Sequence, residues 1–181
     1  MAKAEIFELL RPSHFILSDK YVLADIEGTN FKHLGLCQRV LSVVGVCEDF
    51  EDLSEVAKSI KGSFSVRCEG NRDLEKEIGG KIYDLLDDAK VDLKNADTLI
   101  EILKIDSKYY FGIVEFVGSG MDERKSHNRP EPHPSSLHPR VARAMVNLLG
   151  ECERIVDPFC GSGGLLLEAG LTGHDVVGYD I

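Results

Sequence analysis

The chain has 181 residues, enough for one large domain or two small ones, and its 43% apolar content fits a buried core rather than a disordered chain. No apolar run approaches the ~20 residues of a membrane span, and Met1-Ala2-Lys3-Ala4-Glu5 is acidic too early for a secretory leader. The five cysteines (37, 47, 68, 152 and 160) form no CxxC pair, which points to free thiols in a reducing compartment and a cytoplasmic protein, and the net charge of −10 argues against a globally basic nucleic-acid surface.

The expected elements run as follows. Residues 1–10 read as a helix stopped by Arg11-Pro12, and Tyr21 to Glu27 as a strand that turns at Gly28-Thr29-Asn30. From Phe31 to Val44 the spacing of Leu34, Cys37, Val40, Leu41 and Val44 predicts an amphipathic helix. An acidic loop over 48–55 offers Asp52 or Ser54 as the cap of a helix running toward Ile60. Ser63 to Glu69 alternates like a strand, with Phe64, Val66 and Cys68 on one face. After Gly70-Asn71, a helix beginning at Arg72-Asp73 places Leu74, Ile78, Ile82, Leu85 and Leu86 together. Val91-Asp92-Leu93 is briefly extended, and strands over Thr98–Ile105 and Tyr109–Val117 flank a hairpin turn at Asp106-Ser107-Lys108.

Residues 1–117 therefore form an expected α+β region, and 118–136, with GSG and three prolines, an expected linker. The segment 137–181 opens an α/β unit. In it, Pro139 to Leu149 predicts a helix with Val141, Met145, Leu148 and Leu149 as its apolar face. Ile155-Val156 leads as a strand into Asp157-Pro158-Phe159-Cys160-Gly161-Ser162-Gly163-Gly164, Leu165 to Ala169 leaves as a helix, and Val176 to Asp180 is a second strand ending in an acid. A glycine turn between strand and helix lets a ligand approach the backbone, and the helix start favours an anion. Asp180 lies 19 residues after Gly161, close to the ~20-residue spacing of a ribose-binding acid. The third glycine of GxGxxG would fall at Leu166, which argues against a dinucleotide.

The octapeptide 157–164 resembles motif I of Rossmann-like methyltransferases, in the form found in RNA and DNA amino-methyltransferases. Leu137-His138-Pro139-Arg140-Val141-Ala142-Arg143-Ala144-Met145-Val146-Asn147-Leu148 is similar to the segment preceding motif I in archaeal tRNA guanosine N2-methyltransferases acting at position 10. Ser63 to Arg67, Arg72 to Gly79 and Lys90 to Asp97 are similar to the signatures of THUMP, an RNA-binding module of that family, with Ala96 in place of the usual proline. The resemblance implies S-adenosyl-L-methionine as cofactor and tRNA as partner. It places Asp157, Phe159, Gly161, Ser162 and Gly163 around the methionine part, Asp180 on the ribose, and Ser136, Leu137 and Pro139 over the cofactor carboxylate. Around the THUMP-like signatures, Arg67, Arg72, Lys76, Lys90 and Lys94 are the candidate RNA contacts, with Tyr109 and Tyr110 as stacking candidates.

The family's catalytic Asp/Asn-Pro-Pro-Tyr/Phe tetrapeptide occurs nowhere in the chain. No catalytic residue is therefore assigned, the cofactor site is expected to be partial, and the chain alone is expected to transfer no methyl group. Three arrangements stay open: the N-terminal part of such an enzyme cut after motif I and the ribose acid, one half of a two-chain enzyme completed by a partner or by self-association, or a non-catalytic RNA-binding protein. His127, His133 and His138 lack an accompanying cysteine or acid at ligand spacing, so no metal is expected. Cys160 reads as a small packing residue in the turn.

Overall fold

The computed structural model describes residues 1–18, 20–118, 120–130, 132–134 and 136–181. In chain order the elements are α1 (Ala2–Leu10), β1 (Phe15–Leu17), β2 (Val22–Ala24), a 3-10 turn (Asn30–His33), β3 (Arg39–Cys47), α2 (Ser54–Lys58), β4 (Ser63–Cys68), α3 (Arg72–Asp84), β5 (Lys90–Val91), β6 (Thr98–Ile105) and β7 (Lys108–Val117). Two 3-10 turns (Met121–Arg124 and Ser126–Asn128), α4 (Pro139–Asn147), β8 (Arg154–Asp157), α5 (Gly164–Leu171) and β9 (Asp175–Gly178) complete the order.

Two compact units result: Arg39–Phe116, and Met1–Gln38 together with Val117–Ile181. They do not coincide with the expected blocks 1–117, 118–136 and 137–181. Residues 1–38 fall with the C-terminal segment because Glu5, fully buried, accepts from Gly35 N–H (2.6 Å), Leu36 N–H (3.0 Å) and Asn147 Nδ2 of α4 (2.6 Å). The expected linker is folded as well. Met121 is buried, and Ser126 Oγ donates to His133 O (2.7 Å) while accepting from His133 N–H (2.9 Å). Ser119, Glu131 and Ser135 of that stretch lie outside the described residues.

The Arg39–Phe116 unit is a five-stranded mixed sheet in the order β3-β7-β6-β4-β5. β4 runs parallel to β5 and β6, with Val66 opposite Ile100, and β6 runs antiparallel to β7, with Ile105 opposite Lys108 across the two-residue turn Asp106-Ser107. The helix expected over 31–44 is instead the 3-10 turn followed by β3. Val40, Val43, Val44 and Val46 are β-branched and suit a strand. As an edge strand, β3 buries its residues in pairs rather than strictly alternately, which imitates a helical period.

Helix α3 forms as its spacing predicts. Asn71 Oδ1 accepts from Leu74 N–H (3.0 Å) as the cap, and Leu74, Ile78 and Ile82 enter the core with Phe64, Val66, Ile100, Ile102 and Phe111. Leu85, expected on that face, is exposed. β4 buries Phe64, Ser65 and Val66 together, since it is central and pairs on both edges. Helix α2 begins after Leu53, and Asp52 Oδ1 accepts from Ser54 N–H (2.9 Å).

In the other unit, β8 and β9 pair in parallel, with Ile155 opposite Val176 and Asp157 opposite Gly178. Val146, Ile155 and Ala169 form its core, with Leu165 and Val176 packed against them. The apolar face expected for α4 is turned outward: Met145, Leu148 and Leu149 are exposed. Its buried side holds Ala142, Arg143, Val146 and Asn147, because two polar side chains there meet buried carboxylates, Arg143 that of Glu168 and Asn147 that of Glu5.

Candidate functional site

The glycine turn between β8 and α5 is closed by its own hydrogen bonds. Asp157 Oδ1 accepts from Phe159 N–H (3.0 Å), Cys160 N–H donates to Tyr179 O (2.9 Å) and Tyr179 N–H donates to Asp157 O (2.9 Å). Gly163 N–H donates to Cys160 O (2.8 Å). Asp180, at the end of the second strand, accepts from Gly161 N–H through Oδ2 (2.5 Å) and from Ile181 N–H through Oδ1 (2.9 Å). The structure thus brings the first glycine and the distant acid together. A carboxylate has about four acceptor positions, so capacity remains for hydroxyl groups of a ligand.

Gly161 (φ 50°) and Gly163 (φ 71°) occupy left-handed backbone that disfavours a side chain, and a Cβ at either would meet open space. Both amides are engaged within the protein. What the turn offers an anion is the start of α5, whose first helical bond is Leu167 N–H to Gly163 O (2.8 Å), leaving the amides before it outside the helical ladder.

Gly164 is small for a different reason. A Cβ there would lie 2.8 Å from Arg129 Nη1. Cys160 packs its sulfur against Gly178, where a Cβ would lie 2.8 Å from Sγ. Ser136 reaches the turn, its Oγ 2.7 Å from Ser162 Oγ. Leu137 is exposed, and Pro139 is buried at the first position of α4, so its ring faces protein. Phe159 is 78% exposed beside the turn.

Beneath α5 lies a charged cluster that periodicity alone does not reveal. Glu168 is 0% exposed and accepts from Arg124 Nε (2.7 Å), Arg124 Nη2 (3.1 Å) and Arg143 Nη2 (2.7 Å). Hydrogen bonding to that carboxylate raises Arg124 above its ordinary value, against the opposing effect of burial. Arg129 Nε donates to Arg124 O (2.9 Å), yet its Nη1 and Nη2 are buried without a hydrogen-bond partner among the described residues. The single clue in the sequence is a carboxylate inside the apolar run Leu165 to Ala169. Groups of three or more His, Cys, Asp or Glu able to hold a metal are absent among the described residues.

The RNA candidates divide. Arg67 Nη1 donates to Val66 O (3.0 Å) and Nη2 to Leu93 O (2.5 Å), tying β4 to the turn over 92–95. Arg72, Lys76, Lys90 and Lys94 are exposed, and Lys90 lies 3.7 Å from Asp88. Lys90 pairs with Ser63, four residues from Arg67 along β4, or ~13 Å at strand rise. Lys94 follows Leu93 and so sits at the Arg67 end.

The turn holding Lys94 is fixed by Asp92 Oδ1, which accepts from Lys94 N–H (2.8 Å) and Asn95 N–H (2.9 Å). Those bonds, Asn95's first, hold the Asp92 carboxyl below its usual range. Tyr109 is engaged in packing, its ring 4.7 Å from that of Phe50. No helix among the described residues is long and apolar enough to cross a membrane.

Residues 126–180 match the family described as RMKL-like, methyltransferase domain. The chain is 36% identical over 200 aligned residues to the tRNA (guanine(10)-N2)-dimethyltransferase of Pyrococcus abyssi, a match covering 100% of this chain and 60% of that protein. It is 36% identical over 165 residues to the protein of the same name from Methanothermobacter thermautotrophicus, covering 83% of this chain and 49% of that one. Among solved structures, TrmN from Thermus thermophilus shares the fold with a TM-score of 0.56 at 23% identity, over 88% of this chain and 53% of its own. The chain thus spans 60% or less of the length of these relatives. It is a homologue of the tRNA (guanine(10)-N2)-dimethyltransferases, and its residues 126–180 are similar to the RMKL-like methyltransferase domain.

Proposed function

We propose that this chain is the tRNA-binding and cofactor-receiving part of a cytoplasmic, S-adenosyl-L-methionine-dependent tRNA (guanine-N2-)-methyltransferase. The observation that carries the reading is the closed turn in which Asp180 accepts from Gly161 N–H across 19 residues of sequence. S-adenosyl-L-methionine, when bound, supplies an electrophilic sulfonium methyl group.

In this reading the remaining acceptor capacity of Asp180 takes the ribose hydroxyls, and the open backbone at Gly161 and Gly163 lets the cofactor lie against the turn. Asp157 holds the turn through Phe159 N–H, and Ser162 with Ser136 borders the amino-acid end. Phe159 and Leu137 supply apolar surface beside it. The Arg39–Phe116 unit is the THUMP-like module, with exposed Arg72, Lys76, Lys90 and Lys94 as phosphate contacts and Arg67 positioning the Lys94 turn. The protein's contribution to catalysis is orientation of an amine against the methyl group; the tetrapeptide that would accept the amine protons does not occur in this chain.

A second reading, a two-chain or self-associating enzyme, is favoured by the β8–β9 sheet. Val156 on it and Tyr179 just after β9 are 54% and 62% exposed, and an open strand edge invites pairing.

The test combines retention of labelled S-adenosyl-L-methionine and of unmodified tRNA by the chain with a methyl-transfer assay, run alone and with source extract depleted of this protein. Retention of both supports the reading, and retention of neither overturns it. Transfer only in the mixture supports the two-chain reading. Transfer by the chain alone overturns the assignment of the catalytic acceptor elsewhere.

A further inference from the structure

The geometry points to Arg129 as the receiver of the ligand's carboxylate at the start of α5, an inference that rests on the cofactor-site reading above. Three arginines, 124, 129 and 143, gather near a single buried carboxylate, Glu168, and that carboxylate serves only two of them. Arg129 is anchored by Nε on Arg124 O (2.9 Å), which fixes where its guanidinium sits. Its two terminal nitrogens are shielded from water and have no acceptor among the described residues.

An uncompensated buried guanidinium is costly. Here the cost rises further, because the group packs on Gly164, the first residue of α5, where the helix itself is positive. Two independent features thus ask for negative charge at one place, and the absence of a side chain at Gly164 is what lets the guanidinium lie there. A planar fork of donors matches a carboxylate in two-point contact. The amino-acid end of the cofactor carries such a group on the side of the glycine turn that Ser136 and Ser162 border.

The test measures binding of S-adenosylhomocysteine, which has the carboxylate, and of 5′-methylthioadenosine, which lacks it, to the full chain and to Arg129→Gln and Arg129→Lys. Expected is about a 10- to 100-fold loss for S-adenosylhomocysteine in Arg129→Gln, a smaller loss in Arg129→Lys, and no change for methylthioadenosine. Thermal unfolding of the ligand-free Arg129→Gln protein should be unchanged or raised, since an unpaired buried charge has been removed. Equal losses for both ligands, an unchanged affinity for S-adenosylhomocysteine, or a lowered melting temperature would each overturn the assignment. A wild-type chain that binds neither ligand overturns the cofactor-site reading itself.

Discussion

Glu168→Gln is the substitution that most sharply tests how the Met1–Gln38 and Val117–Ile181 unit is held. The amide keeps the size of the side chain and removes the charge that Arg124 and Arg143 share. Breaking a buried pair by deleting one partner costs about 3–5 kcal/mol, mostly from the charge left behind. Arg124 keeps 29% of its side chain exposed and can rehydrate, whereas Arg143 keeps 7% and cannot. The stranded charge is therefore essentially one guanidinium, and the lower end of the range, about 3 kcal/mol, is expected. For a unit of this size that corresponds to a fall of upwards of about 10 °C in melting temperature.

Hydrogen exchange read by mass spectrometry localises the effect. Protection should fall in α4 and α5 and hold in β4, β6 and β7. The double variant Arg143→Gln/Glu168→Gln should recover part of the loss, because both charges leave together. A change below about 1 kcal/mol in Glu168→Gln, or equal loss of protection in both units, would refute the claim that this carboxylate holds α4 to α5.

Gly164→Ala places a Cβ 2.8 Å from Arg129 Nη1 at a helix position that otherwise favours alanine. It should destabilise the wild-type chain and be neutral or stabilising with Arg129→Ala, as a double-mutant cycle in urea will read. Asp97 is held below the usual carboxylate range by the N–H and then the hydroxyl of Ser63. A carboxyl depressed on folding contributes stability that is present above its ordinary value and lost as the pH falls toward its folded value. Asp97→Asn should flatten the acid side of the stability curve below about pH 4; an unchanged curve would contradict the clamp between Ser63 and Asp97. Truncating fully buried Ile78 to Ala should cost about 2–5 kcal/mol, with denaturant unfolding as the measure.

The β8–turn–α5–β9 arrangement was legible in the sequence because each element is short, strongly marked and bounded by glycine or an acid. The spacing of Asp180 from Gly161 marked the acid as a ribose candidate, whereas the hydrogen bond it accepts from Gly161 N–H was not legible in the sequence. Strand β3 was not legible, since an edge strand with paired burial shares its pattern with a helix. The outward face of α4 was misread because Arg143 and Asn147 look like surface residues until their carboxylate partners, Glu168 and Glu5, are placed. Glu5 shows the same limit: in sequence it is an acid near a terminus, and in the fold three donors satisfy it at zero exposure. Partners 30 to 142 residues apart leave no local trace.

The proposed role of the turn and Asp180 is to receive an adenosyl amino-acid cofactor together. The most direct measurement is a calorimetric titration of S-adenosylhomocysteine into the wild-type chain and Asp180→Asn. The wild type should bind, and the variant should bind at least about 10-fold more weakly. A wild-type chain that does not bind, or a variant that binds as tightly, would contradict that role.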